Sequence, residues 1–133
     1  MTLILLFLST FIVFLAIDFV GLSYMIKPIF ARQIGHLMTD SPRLLPAFLF
    51  YAFMVAVVLW FVSWPALTQD RSLLWVFGNA ALLGMVGYGT YEFTSYAVMK
   101  DWTTTMVAVD FTWGTCLTGF SALAGVWITR AFS

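Results

Sequence analysis

Asp18, Glu92 and Asp110, half of the six acidic residues in this chain, sit inside long runs of Leu, Ile, Val, Phe, Ala and Gly. Asp18 stands seven residues before Met25, Glu92 seven before Met99, and Asp110 seven after Thr103. If those flanking positions mark helix ends on one side of a bilayer, seven residues at a rise of 1.5 Å put each carboxyl about 10 Å below the surface. Tyr51, in a fourth run, reaches the same layer. An unpaired charge in hydrocarbon costs roughly 2.5–3.5 kcal/mol on insertion scales. No Lys or Arg lies within the runs to offset it, so the acids are expected to face inward. Three carboxylates in one small layer cannot all carry charge, and at least one, Glu92 first, is expected to be neutral at pH 7.

The neighbouring residues suit a polar pocket. Tyr88 and Tyr96 lie one turn either side of Glu92, Ser95 follows it by three, and Thr90 and Thr94 are close by. Trp113 and Gly114 follow Asp110 by three and four, and Gly21 follows Asp18 by three. The candidate ligand- or proton-binding residues are therefore Asp18, Tyr51, Tyr88, Glu92, Ser95, Tyr96, Asp110 and Trp113. Proton exchange, cation binding, or a carboxylate pair acting on a lipid are chemistries open to such a set. The alternative is structural, with protonated acids hydrogen-bonded to hydroxyls as glue between helices. No catalytic residue stands out. Cys116 is the single cysteine and His36 the single histidine, so no metal site and no cofactor is expected. The 19% aromatic content reads as an interfacial belt and packing rather than a pigment, quinone or haem site.

The elements that must position these residues follow from composition. The chain has 133 residues, of which 62% are hydrophobic and 9% charged, with no formal net charge and a mean hydropathy of +0.98. Soluble domains carry about 25% charged residues. A soluble domain, a disordered chain and a coiled coil are excluded, and no basic footprint supports nucleic-acid binding. Apolar runs at 3–25, 45–67, 73–99 and 103–129 are each long enough to cross hydrocarbon as a helix. Lipid offers the backbone no partners, so helices are required. The expectation is an all-α integral membrane bundle of four transmembrane helices in a single domain, 1–133. The first run lacks the basic start and cleavage site of a signal peptide and is expected to be retained.

Connections are short except between the first two spans, where the chain opens with Lys27 and Pro28 and closes with Asp40, Ser41 and Pro42. Between these, Ile29, Phe30, Ile34, Leu37 and Met38 recur at helical spacing opposite Arg32 and Gln33, which predicts a short interfacial helix with Phe30 and Ile34 facing lipid. Gly35 alone argues against it. Lys27, Arg32, Arg43 and Lys100 lie on one side and Arg71 and Arg130 on the other, so the first side is expected to be cytoplasmic and both termini periplasmic. Trp60, Trp64, Trp75 and Trp127 form an outer aromatic belt on this reading, with Trp102 at the inner face. Ala80 with Gly84, and Ser121 with Gly125, are small-residue pairs that allow close helix approach.

The same residues carry a family resemblance. Asp18-Phe-Val-Gly-Leu, Ile34-Gly-His-Leu, Phe50-Tyr51, Gly89-Thr-Tyr-Glu-Phe-Thr-Ser-Tyr with Lys100-Asp-Trp, and Val109-Asp-Phe-Thr-Trp-Gly114 resemble the bacterial membrane proteins grouped as domain of unknown function 2177. The resemblance runs over nearly the whole chain. It implies a four-helix inner-membrane protein and supplies no reaction. The family's third-span pattern is usually Thr-Tyr-Asp-Leu-Thr-Asn. Glu92 and Ser95 replace the Asp and Asn here, giving the acid a longer reach and exchanging an amide for a hydroxyl.

Three functions fit. One is a small transporter or binding protein whose acids take up protons, cations or a polar lipid head group. Four helices are too few for the usual inverted-repeat machinery in one chain, so it would act as a homo-oligomer or within a larger complex. A second is a structural or accessory subunit of a larger membrane assembly. The third, an enzyme of lipid metabolism or its accessory, lacks any His-box, Ser-His pairing or cofactor fingerprint in support. Membrane lipids are the expected surroundings in every case.

Overall fold

The computed structural model describes residues 1–39 and 43–132. The chain is almost entirely helical, with no strand among the described residues. Helix α1 (Thr2–Gly21) passes through a π-helical turn (Leu22–Ile26) into α2 (Lys27–Ile34) and a 3₁₀ turn (Gly35–Leu37). Helix α3 (Leu44–Val58) passes through a second π turn (Leu59–Ser63) into α4 (Trp64–Thr68). Two long helices complete the chain, α5 (Leu73–Val98) and α6 (Thr104–Phe132). Four helical runs are long and apolar enough to cross a membrane: Thr2–Leu37, Leu44–Thr68, Leu73–Val98 and Thr104–Phe132. The expected close of the first connection at Asp40, Ser41 and Pro42 lies outside the described residues.

Prolines account for both π turns. A proline inside a helix lacks the N–H for the i→i−4 bond, and its ring clashes with the carbonyl four residues back. Four residues before Pro28 is Tyr24, and four before Pro65 is Phe61; each lies within a π turn. The wider turn makes room for the ring, and the helix continues. The first span therefore does not end at Pro28, and the connecting helix is an extension of α1 rather than a separate element. Gly35 marks where α-helical geometry gives way to 3₁₀.

Helix ends are satisfied locally. Ser72 caps α5 by accepting the Trp75 backbone N–H at 3.1 Å, and Thr103 Oγ1 accepts that of Met106 at 3.3 Å, both meeting amides left free at a helix start. Asp70 turns the α4–α5 connection with φ of 55°, a left-handed conformation that Asp tolerates better than most residues. Arg130 donates to the backbone carbonyls of Ala66 and Arg71 in the same region. This terminal end of the bundle, which carries both chain ends, also holds Trp60, Trp64, Trp75 and Trp127. The opposite end carries α2 and the 99–103 connection and is termed the strap end.

Helix α6 is the centre. It packs along α5, its hairpin partner, and along α1, whereas α3 shows much of its apolar surface outward. Close approach depends on small residues. Gly84 of α5 meets Gly114 and Thr118 of α6, while Gly125 of α6 meets Thr10 of α1. One apolar cluster fills the terminal half around Leu6, Phe14, Val58, Val62, Leu117 and Val126. A second, at the strap end, joins Ile26, Phe30, Ile34, Trp102, Met106 and Val107. Phe30 and Ile34 are thus buried against the α5–α6 hairpin. They do not face lipid, which corrects the sequence expectation. The physical reason is that a continuing helix can lay its apolar stripe on neighbouring protein, where dispersion contacts replace the lipid ones.

Candidate functional site

The acids lie between the two apolar clusters. Asp18, Glu92 and Asp110 are 3%, 0% and 7% exposed. The α5–α6 hairpin brings Glu92 and Asp110 together, because each stands the same number of residues from a turn that reverses the chain. Their carboxyls are close enough to act on each other. Two ionised carboxylates are acceptors only, so a bond between them needs one shared proton. Glu92 Oε1 accepts the indole N–H of Trp102 at 2.9 Å. Its Oε2 is buried and has no hydrogen-bond partner among the described residues.

Asp18 is solved differently. Trp113 Nε1 donates to Asp18 Oδ1 at 3.2 Å, and the Tyr51 hydroxyl lies beside the same carboxyl. Phe14 holds the Tyr51 ring at a centroid distance of 5.5 Å. Trp113 reaches Asp18 because Gly21, one turn along α1, has no side chain; a Cβ there would fall inside the indole. Gly114 plays the same part for Tyr88, whose ring lies against its Cα and whose buried hydroxyl has no hydrogen-bond partner. Asp18 and Asp110 are near enough for their charges to act on each other. All four spans thus contribute: α1 through Asp18, α3 through Tyr51, α5 through Tyr88 and Glu92, and α6 through Asp110 and Trp113.

Two sequence candidates stand apart. Tyr96 is 47% exposed, and its hydroxyl pairs with Thr104 Oγ1 at 3.0 Å. Ser95 is half-buried, and among the described residues no hydrogen bond joins it to an acid. A spacing of three or four puts residues on one broad face of a helix, but the acid reaches across to α6 while Tyr96 leans toward the hairpin turn. Among the described residues no three His, Cys, Asp or Glu side chains converge closely enough to hold a metal ion.

The sequence puts Trp102 in the interfacial belt, whereas the structure buries it at the strap end of the α5–α6 hairpin. Phe30 and Tyr91 lie edge-on to it at centroid distances of 5.5 Å each. An indole N–H is a donor without acceptor capacity, and a buried one near a membrane acid is the signal that could have found it. His36, expected in the interface, pairs with Asp101 at 2.8 Å. Two apolar grooves indent the bundle. One, of about 650 Å³, runs between Leu3, Phe7, Leu59 and Trp64 at the terminal end. The other, of about 540 Å³, lies between Met25, Val109, Trp113 and Cys116. Neither is lined by Asp18, Glu92 or Asp110.

The acid-bearing motifs fall within the region that decides the family. A family model described as Predicted membrane protein (DUF2177) matches residues 3–127. The chain belongs to this family. That match spans all three buried acids and the strap. No curated protein and no solved structure matches the chain.

Proposed function

We propose that the protein is a proton-linked membrane protein whose Glu92–Asp110 pair takes up and releases one proton, coupled to binding of a small polar ligand or lipid head group. The carrying observation is the buried carboxyl pair itself, with an indole as donor to Glu92 and, among the described residues, no cation beside it. Glue between helices needs only hydroxyls or amides, which are cheaper to bury than two acids. The grooves, which exclude the acids from their walls, favour a proton over a bulky ligand at the pair. Asp18, held by Trp113 with Tyr51 beside it, lies near enough to Asp110 to bias where the proton rests. The Lys/Arg asymmetry supports an inner-membrane placement with both termini periplasmic and the strap end toward the cytoplasm.

The test is infrared difference spectroscopy of the bilayer-reconstituted chain, wild type against Glu92→Gln and Asp110→Asn, beside complementation of a deletion strain. A neutral-carboxyl band between pH 6 and 8 that disappears in the variants, together with stable but inactive variants, is the expected result. Absence of that band, or full complementation by both variants, returns the acids to a packing role.

A further inference from the structure

The acid pair is one side chain away from the end of the bundle. The Trp102 indole that donates to Glu92 belongs to the connection between α5 and α6, and what lies over it is α2. Phe30 stands perpendicular to the indole at 87°, Ile34 is packed in the same cluster, and Met106 closes it from α6. At the tip of this segment, His36 Nε2 meets Asp101 Oδ2, the residue next to Trp102, at 2.8 Å. At its base, α2 begins at the π turn and Pro28, where regular i→i−4 bonding is interrupted.

We infer that residues 27–37 form a gate, closed in this structure, that controls aqueous access to the Glu92–Asp110 pair from the strap end. The parts match that task. The seal is apolar, so it excludes water when seated. The latch is a pair between half-exposed side chains, which is weak and easily exchanged for water. The hinge is a place where a helix has already given up its regular bonds. Lifting the strap uncovers Trp102, and rotation of that indole away from Glu92 leaves the acid open to solvent. A plain structural cap would need neither the polar latch at its tip nor an indole whose only polar atom is committed to a buried acid.

The gate rests on the proton-linked reading for its purpose but is tested separately from it. The full chain in lipid nanodiscs is treated with a water-soluble carbodiimide and an amine, and conversion of Glu92 and Asp110 is read by mass spectrometry against exposed Asp70. Wild type should convert at Glu92 far less than at Asp70. His36→Ala should raise Glu92 conversion several-fold, and Phe30→Ala more. A disulfide between His36→Cys and Asp101→Cys should return it to the wild-type level or below, and reduction should reverse that. Phe30→Ala could loosen the whole bundle, so unchanged conversion at Asp18 and an unchanged unfolding midpoint are required of it, and the disulfide pair decides alone if they are not met. Equal Glu92 conversion in wild type, His36→Ala and the oxidised double-cysteine chain would overturn the gate. Complementation by Glu92→Gln would sink the functional reading while leaving these labelling results as they stand.

Discussion

Asp18 and the Glu92–Asp110 pair occupy neighbouring positions in one protein and meet the same problem, a carboxyl buried in a bilayer-spanning bundle, in opposite ways. Asp18 receives a neutral donor, Trp113, from α6, with the Tyr51 hydroxyl of α3 beside it. Glu92 receives one, Trp102, and turns its remaining capacity to a second acid. Donors favour the ionised form of a carboxyl, because a protonated one still accepts from them but more weakly. A carboxyl pair is satisfied by a proton that can leave. The difference separates a carboxyl held by donors from one held beside a second acid, and it can be broken or sharpened by substitution.

The largest effect is expected on the Asp18 side. Gly21→Leu would force the Trp113 ring from its recess, combining overpacking with a lost bond to a buried carboxyl, a cost of about 3 kcal/mol or more. Unfolding in mixed detergent should show it, and a wild-type midpoint would mean that Trp113 is not wedged there. Next comes Trp102→Phe, which keeps the apolar ring but strips Glu92 of its donor, at about 1–3 kcal/mol. If that loss were absent in Glu92→Leu/Trp102→Phe relative to Glu92→Leu alone, where the acceptor itself is gone, the coupling between the two residues would be confirmed; an undiminished loss would assign the effect to packing.

Asp18→Asn should cost about 1–2 kcal/mol, since the Trp113 bond is weaker to a neutral amide oxygen and the new NH₂ must find an acceptor in a buried site. Glu92→Gln is expected to be the mildest, within about 0.5 kcal/mol of wild type, a size ordinary for substitutions that leave bonding intact. Its amide oxygen still accepts from Trp102 and its NH₂ donates to Asp110, replacing the shared proton. A reversed order, with Asp18→Asn neutral and Glu92→Gln costly, would exchange the roles assigned to the two sites.

Much of this architecture is legible in the residues alone. Bilayer thickness and helical rise together dictate that four long apolar runs become four spans, and no tertiary contact is needed to reach that. A fixed rise also makes depth readable, which is why Asp18, Glu92 and Asp110 could be assigned to a common level from their distance to the span ends. Depth carries no information about azimuth. Whether an acid at that level meets another acid, a tyrosine or an indole depends on how helices rotate and which neighbours they choose.

Those choices belong to the tertiary structure. The hairpin pairs Glu92 with Asp110, glycines at 21 and 114 admit the rings of Trp113 and Tyr88, and Tyr96 is left pairing with Thr104 instead. The strap shows the same limit. Its amphipathic period announced a helix with one apolar stripe, but periodicity does not say whether lipid or protein covers the stripe. Pro28 looked like a stop because proline breaks α-helical bonding. The structure kept the helix going by widening a turn, and only that continuation carries Phe30 onto Trp102. Local chemistry determined what each segment can be; long-range packing, which no window of sequence contains, decided which donor each buried acid received.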